Sequence, residues 1–303
     1  EISTLPPSVA PVATAIPAFI GYTEKAIIDG VAWTYPLSPT NPKPAPPVRI
    51  TSMVQYEAIF GGPFAETFDV AVTGTSPNFS VAITATTITP ANTISNYLLY
   101  YHMQMYFGNG GGPCYVISAD KFPTTAAAIS ATALIDGIKR AEEVDEITLL
   151  VAPEAIKTSR NSIYTAMLDQ CAKLQDRFAI LDTEVDTGIV STDIGSFRGT
   201  DTGNNNLRYG AAYYPSLSTS LSLQILDSNV ETTAGSTVPY VSIPISDMLV
   251  SGSTLNVTLY NQIKAALDVL FGNLVLYPSA AMAGIYAAVD RTRGVWKAPA
   301  NVS

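Results

Sequence analysis

The densest group of side chains able to do chemistry is the acidic run Asp182-Thr183-Glu184-Val185-Asp186-Thr187-Gly188, with Asp193 beyond it. Acids at alternate positions and another at the twelfth resemble a calcium-binding loop, where such spacing turns oxygens toward one cation. Two departures count against that use. The turn glycine, Gly188, stands one place late, and the shorter Asp193 replaces the bidentate glutamate. The run follows a predicted parallel strand, the place where open α/β sheets take their ligands. A solvated acidic loop is the simpler reading.

The other candidates are weaker. Gly108-Asn109-Gly110-Gly111-Gly112-Pro113 is the loudest glycine cluster. A phosphate-cradling loop needs a strand before it and a helix after it. Here the predicted order is helix, glycines, strand, so the cluster reads as a helix end and tight turn. His102 is the sole histidine, which excludes any site needing two. No Gly-x-Ser-x-Gly elbow is present to serve it, and it reads as a packed structural residue. Cys114 and Cys171 have no partner at metal-ligand or redox spacing and read as buried thiols. Tyr97, Tyr100, Tyr101, Tyr106 and Phe107 crowd one segment, and Tyr213-Tyr214-Pro215 form another aromatic group. Stacking on nucleobases would want basic residues between the rings, and those are lacking, so core and interface packing are favoured. Neither a catalytic residue, a cofactor nor a metal is expected.

The elements that must position these residues follow from periodicity. Residues 15–20 read as a strand with Pro17 at an edge or irregularity. Residues 33–47, with Pro36, Pro39, Pro42, Pro44, Pro46 and Pro47, read as an exposed extended loop. A short helix is predicted over 52–60, and strands over 68–72 and 79–85. A stronger helix opens at Thr89-Pro90 and carries Ile94, Tyr97, Leu98, Tyr101 and Met105 on one face. Strands at 114–118, 147–152 and 178–181 then alternate with helices bearing Ile129, Ala133, Leu134 and Ile138, and Ile163, Ala166, Met167, Cys171 and Leu174. Residues 209–214 add a strand. The stretch 221–250 reads as a small antiparallel β excursion. A helix with Tyr260, Ile263, Leu267 and Leu270 on its inner face, a strand at 274–277 and a helix over 280–290 complete the pattern. Alternating short apolar runs and amphipathic helices specify an α/β fold: a mixed, largely parallel sheet flanked by helices.

Composition narrows the function. A net charge of −9 and no run of Lys and Arg argue against binding nucleic acid. No apolar run approaches the ~20 residues of a membrane helix. The first residues lack the pattern of a secretory signal, and the two cysteines, far apart in apolar settings, do not suggest an oxidised framework, so an intracellular origin is expected. Hydrophobic residues make up 47% of the chain and charged residues 14%, which suits a protein that buries much of its surface against copies of itself.

Several segments, in order, resemble the tail sheath proteins of contractile injection systems, including contractile phage tails and phage-tail-like particles. They are Pro6-Pro7-Ser8-Val9, Ala13-Thr14-Ala15-Ile16-Pro17-Ala18-Phe19-Ile20-Gly21-Tyr22-Thr23 and Asn109-Gly110-Gly111-Gly112-Pro113-Cys114-Tyr115-Val116. Arg177-Phe178-Ala179-Ile180-Leu181-Asp182, Tyr209-Gly210-Ala211-Ala212-Tyr213-Tyr214-Pro215 and Arg293-Gly294-Val295-Trp296-Lys297-Ala298-Pro299-Ala300-Asn301 follow. The resemblance implies one tail-sheath α/β core over residues 1–303, lacking the N-terminal arm and the C-terminal domain. It implies a non-enzymatic subunit that forms stacked six-membered rings with copies of itself around an inner tube protein. Contraction then drives the tube through a target envelope. Baseplate and terminal cap proteins are the further partners. Assembly is expected in the bacterial cytoplasm, with no nucleic acid and no membrane insertion. Arg291, Arg293, Gly294, Trp296, Lys297, Pro299 and Asn301 are the candidate assembly-linked residues. Their plain alternative is core packing, with Trp296 sealing the end of the sheet. The alternative function is a flavodoxin-like ligand-binding or hydrolytic domain using residues 182–193. A surface adhesin built around the proline-rich loop is a third reading.

Overall fold

In the computed structural model, which describes residues 14–35, 43–85, 94–123, 128–184, 188–252 and 254–299, the chain opens with a wholly buried strand, β1 (Pro17–Thr23). A two-residue hairpin of β2 (Ile27–Ile28) and β3 (Val31–Ala32) leads to β4 (Val48–Ile50) and α1 (Met53–Phe60). Ser52 caps α1 by accepting from the Gln55 amide. The antiparallel hairpin β5 (Phe68–Thr75) and β6 (Asn78–Ala85) follows, then α2 (Leu99–Gly108) and β7 (Cys114–Lys121). Next come α3 (Ala131–Arg140), β8 (Leu149–Val151), α4 (Arg160–Leu174), β9 (Phe178–Asp182), α5 (Val190–Ser196) and β10 (Gly210–Tyr213). The chain closes with β11 (Leu217–Ser218), β12 (Val230–Thr232), α6 (Val257–Phe271), β13 (Val275–Leu276) and α7 (Ser279–Arg293).

The central six-stranded sheet has the order β10-β9-β8-β1-β7-β4. All neighbours run parallel except the edge strand β4, which is antiparallel to β7. The period of two along a strand sends Phe19, Val116, Val151 and Ile180 to one face, where α2 and α7 pack. Ala18, Ile20, Ile117, Leu150 and Ala179 go to the other, under α3 and α4. Parallel strands covered on both faces need continuous apolar runs, which is what these stretches supply. Burying a side chain such as Phe19, 0% exposed, contributes about 1.5–3 kcal/mol.

Four expectations are corrected. The helix predicted from Thr89-Pro90 begins at Leu99; residues 89 and 90 lie outside the described residues, and 94–98 are a buried loop. There the Ser95 amide donates to Glu66 at 2.7 Å, and Tyr97 packs on Phe64 and Phe122, so tertiary partners replace a helical turn. The described end of the proline-rich stretch is not wholly exposed: Ala45 is buried, and its amide donates to the Ser118 carbonyl at 2.8 Å. Residues 36–42 of that stretch lie outside the described residues. Residues 221–250 supply one short strand, β12, which runs parallel to β5. Antiparallel pairing instead belongs to β5 with β6, β11 with β13, and a single bridge between Glu231 and Pro244. Finally, α6 buries Leu259, Ile263, Leu267 and Phe271, leaving Leu270 half exposed.

Candidate functional site

The carboxyl ends of β1, β8, β9 and β10 define the edge where an open α/β sheet holds a ligand. Two helices, α2 and α7, aim their N-termini at this edge, and each would favour an anion there. Both positions are filled by the protein's own carboxylates. Glu154, in the turn after β8, is buried. Its Oε2 accepts the Tyr22 amide at 2.8 Å, and its Oε1 accepts the Leu99 amide at 3.2 Å. Asp182, the last residue of β9, accepts the Ser279 amide at 2.8 Å and the Ser279 hydroxyl at 2.5 Å. Burial pushes the Glu154 carboxyl up to about 8 and the Asp182 carboxyl up to about 7, against the lowering effect of these hydrogen bonds.

The remaining acids near Asp182 are also engaged. Glu184 pairs with Lys157, and with Arg160 at 2.7 Å; Arg160 in turn lies 3.3 Å from Asp201. Asp193 is buried on α5, and residues 185–187 lie outside the described residues. Among the described residues no three metal-ligating side chains gather. The loop expected to be solvated is thus largely built into the fold at its described acids. Its oxygens serve helix ends and ion pairs, and the ligand-binding or hydrolytic reading of 182–193 is not favoured.

His102 is buried on α2. Its Nδ1 faces the Leu98 carbonyl at 2.9 Å, so Nδ1 carries the proton and donates. Burial lowers its pKa to about 4. The ring stacks on Tyr277, with centroids 6.4 Å apart, as a structural residue. Cys114 and Cys171 are both buried free thiols, and burial raises both pKa values, that of Cys171 to about 12.

The glycine cluster ends α2 and starts β7. Gly110 takes a positive φ of 85°, and the Gly111 amide donates back to the Tyr106 carbonyl at 3.0 Å. A Cβ on Gly111 would lie 2.5 Å from the Tyr106 ring, so the turn closes only over a glycine. The end of α7 meets this turn: Arg291 donates to the Gly110 carbonyl at 3.1 Å, and Asp290 accepts from Thr14 at 2.7 Å.

Beyond α7, Gly294 adopts φ 84° and ends the helix, its amide donating to the Asp290 carbonyl at 3.1 Å. A turn closes from the Lys297 amide to the Gly294 carbonyl at 3.1 Å. Arg293 is exposed, and Lys297 and Pro299 are half-buried. Trp296 is 82% exposed and does not seal the sheet. Asn301 lies outside the described residues. The structure thus joins Arg291 to the glycine turn but leaves Arg293 and Trp296 facing outward. Glu154 and its partnership with the start of α2 were missed, because Pro153-Glu154 in sequence is an ordinary turn. Only an apolar neighbourhood on both sides hinted at burial.

No protein-family model matches the chain, and no curated protein matches it. Solved structures do. The chain is similar to one from the helical sheath of the anti-feeding prophage (AFP) in its contracted state, at 21% identity and a TM-score of 0.47, covering 97% of this chain and 52% of that one. A chain of the AFP baseplate gives 21% identity and a TM-score of 0.46 over the same shares. A chain of the PVC sheath complex, an extracellular contractile injection system in its contracted state, gives 24% identity and a TM-score of 0.48, covering 100% and 52%. The chain spans about half the length of these solved chains.

Proposed function

We propose that the chain is the α/β core of a structural subunit of a contractile sheath, which polymerises around an inner tube and contracts to drive it through a target envelope. One observation carries the reading. Two of the segments with sheath-like sequence, at 14–23 and 109–116, are far apart in the chain but both hold the end of α7, immediately before the third, which starts at Arg293. There Thr14 bonds Asp290, and Arg291, two residues before the closing segment, bonds the Gly110 carbonyl. Patterns that share one contact region are held together by one physical constraint, which chance matches would not be. The sealed sheet edge supports a non-enzymatic role, since both helix N-termini that could hold a substrate anion already hold a carboxylate.

In this reading the partners are further copies in stacked six-membered rings, the inner tube protein, and baseplate and cap proteins. Assembly takes place in the bacterial cytoplasm. Work comes from a metastable extended state and needs no nucleotide. Arg293, Gly294, Trp296, Lys297 and Pro299 are the assembly-linked surface, anchored by Arg291. Negative-stain electron microscopy of the full-length gene product, co-expressed with its inner-tube partner and gently released, tests the proposal. Hollow cylinders with a regular helical repeat are expected. Single particles alone would overturn it.

A further inference from the structure

The closing turn and an aromatic pocket lie at opposite ends of the strands, and their chemistry is complementary. The turn follows α7, whose end is tied by Asp290 and Arg291 to the residues just before β1 and β7. The pocket, of about 540 Å³, lies where those strands finish. Glu24 directly follows β1, and Phe122 and Pro123 directly follow β7, its parallel neighbour. At ~3.3 Å per residue the seven residues of β1 separate the two features by roughly 23 Å. One copy cannot join its own turn to its own pocket while α7 stays docked.

The pocket walls are Pro63, Phe64, Phe122, Pro123 and Leu226. Phe64 and Phe122 meet edge to face at 5.4 Å, and Leu226 is 60% exposed. Its volume falls in the range that takes drug-sized groups, enough for an indole and part of its chain. Glu24 stands at the rim, with one oxygen accepting the Gly62 amide at 2.8 Å. The turn offers an indole beside a cation, Trp296-Lys297, within a stretch that also carries Arg291 and Arg293. That is a concentrated basic feature on a chain of net charge −9. A large exposed indole next to a cation is the usual anchor of a protein interface.

We propose that Trp296 of one copy docks between Phe64, Phe122 and Leu226 of a second copy, with Lys297 against that copy's Glu24. The two surfaces differ, so the contact is head-to-tail, and because they lie at opposite ends of the strands it joins successive copies along the strand direction. It deepens the sheath reading and rests on that reading for the number of copies. It uses side chains of the described residues alone.

The test pairs Trp296→Cys with Leu226→Cys in the full-length protein, oxidised and run on a denaturing gel. A ladder of covalent multimers is expected from the double variant and not from either single one. In parallel, Lys297→Glu and Glu24→Lys should each weaken association at least tenfold by sedimentation. Their combination should restore it, with far-ultraviolet circular dichroism showing each variant folded. Cylinders without a ladder would overturn the contact and leave the sheath reading standing. A ladder without cylinders would uphold the contact and sink the sheath reading. A shifted monomer band, or charge swaps that do not rescue each other, would overturn the docking.

Discussion

Asp182→Ala separates a built-in helix cap from a ligand site, and its effect fades as pH rises in a way that only the cap predicts. The Asp182 carboxyl holds the amide and hydroxyl of Ser279 at 2.8 and 2.5 Å, at the first residue of α7. At pH 5 the folded-state carboxyl is mostly protonated, because burial has raised its pKa to about 7. Losing two neutral hydrogen bonds removes roughly 1–3 kcal/mol, and the stranded Ser279 amide adds about 1 kcal/mol or more. The expected loss at pH 5 is therefore ~2–4 kcal/mol. An acid whose folded pKa is raised contributes stability that is full below its unfolded pKa and is lost as pH rises through the folded value. Between pH 5 and pH 8 that contribution shrinks by about 3 kcal/mol, so the alanine variant should approach the parent at pH 8. Asp182→Asn, which cannot titrate, should show a flatter profile. Urea midpoints at the two pH values, together with amide exchange at Ser279 and Met282, measure this. An equal loss at both pH values, or none at pH 5, would refute the reasoning. Saturable calcium binding abolished by the alanine variant would restore the ligand reading.

Three further outcomes are expected. Glu154, raised to about 8, should make the protein lose stability from pH 4.5 to pH 8, while His102, lowered to about 4, contributes stability that is lost below pH 6.5. The acid-side maximum in urea unfolding should flatten in Glu154→Gln. Gly111→Ala should destabilise by ~1–3 kcal/mol, because its Cβ would press on the ring of Tyr106, which is 0% exposed and cannot yield; thermal unfolding reads this. Both thiols should stay unreactive toward a disulfide reagent such as DTNB in the native protein, and react at the rate of unfolding, since Cys114 and Cys171 are 0% exposed.

The sequence by itself determined the order β7, α3, β8, α4, β9 and, after the 221–250 stretch, α6, β13, α7. Runs such as Cys114-Tyr115-Val116-Ile117 can satisfy a sheet covered on both faces and little else, and the stripe Ile163, Met167, Cys171 has one burial solution. The glycines after α2 were equally legible as a helix end and turn, because positive φ is a local property. Tertiary structure alone decided the rest. Whether 94–98 coil into helix depended on Glu66, Phe64 and Phe122, all distant in sequence. Whether Asp182 faced solvent or capped α7 depended on a partner almost a hundred residues away. Glu154 carried no signal, since a buried carboxylate is defined by the amides that converge on it. Trp296, which in sequence could be an assembly residue or a seal for the sheet, stands exposed after the Gly294 turn. Local backbone chemistry is written residue by residue; the fate of a charge or an indole is set by what the fold brings beside it.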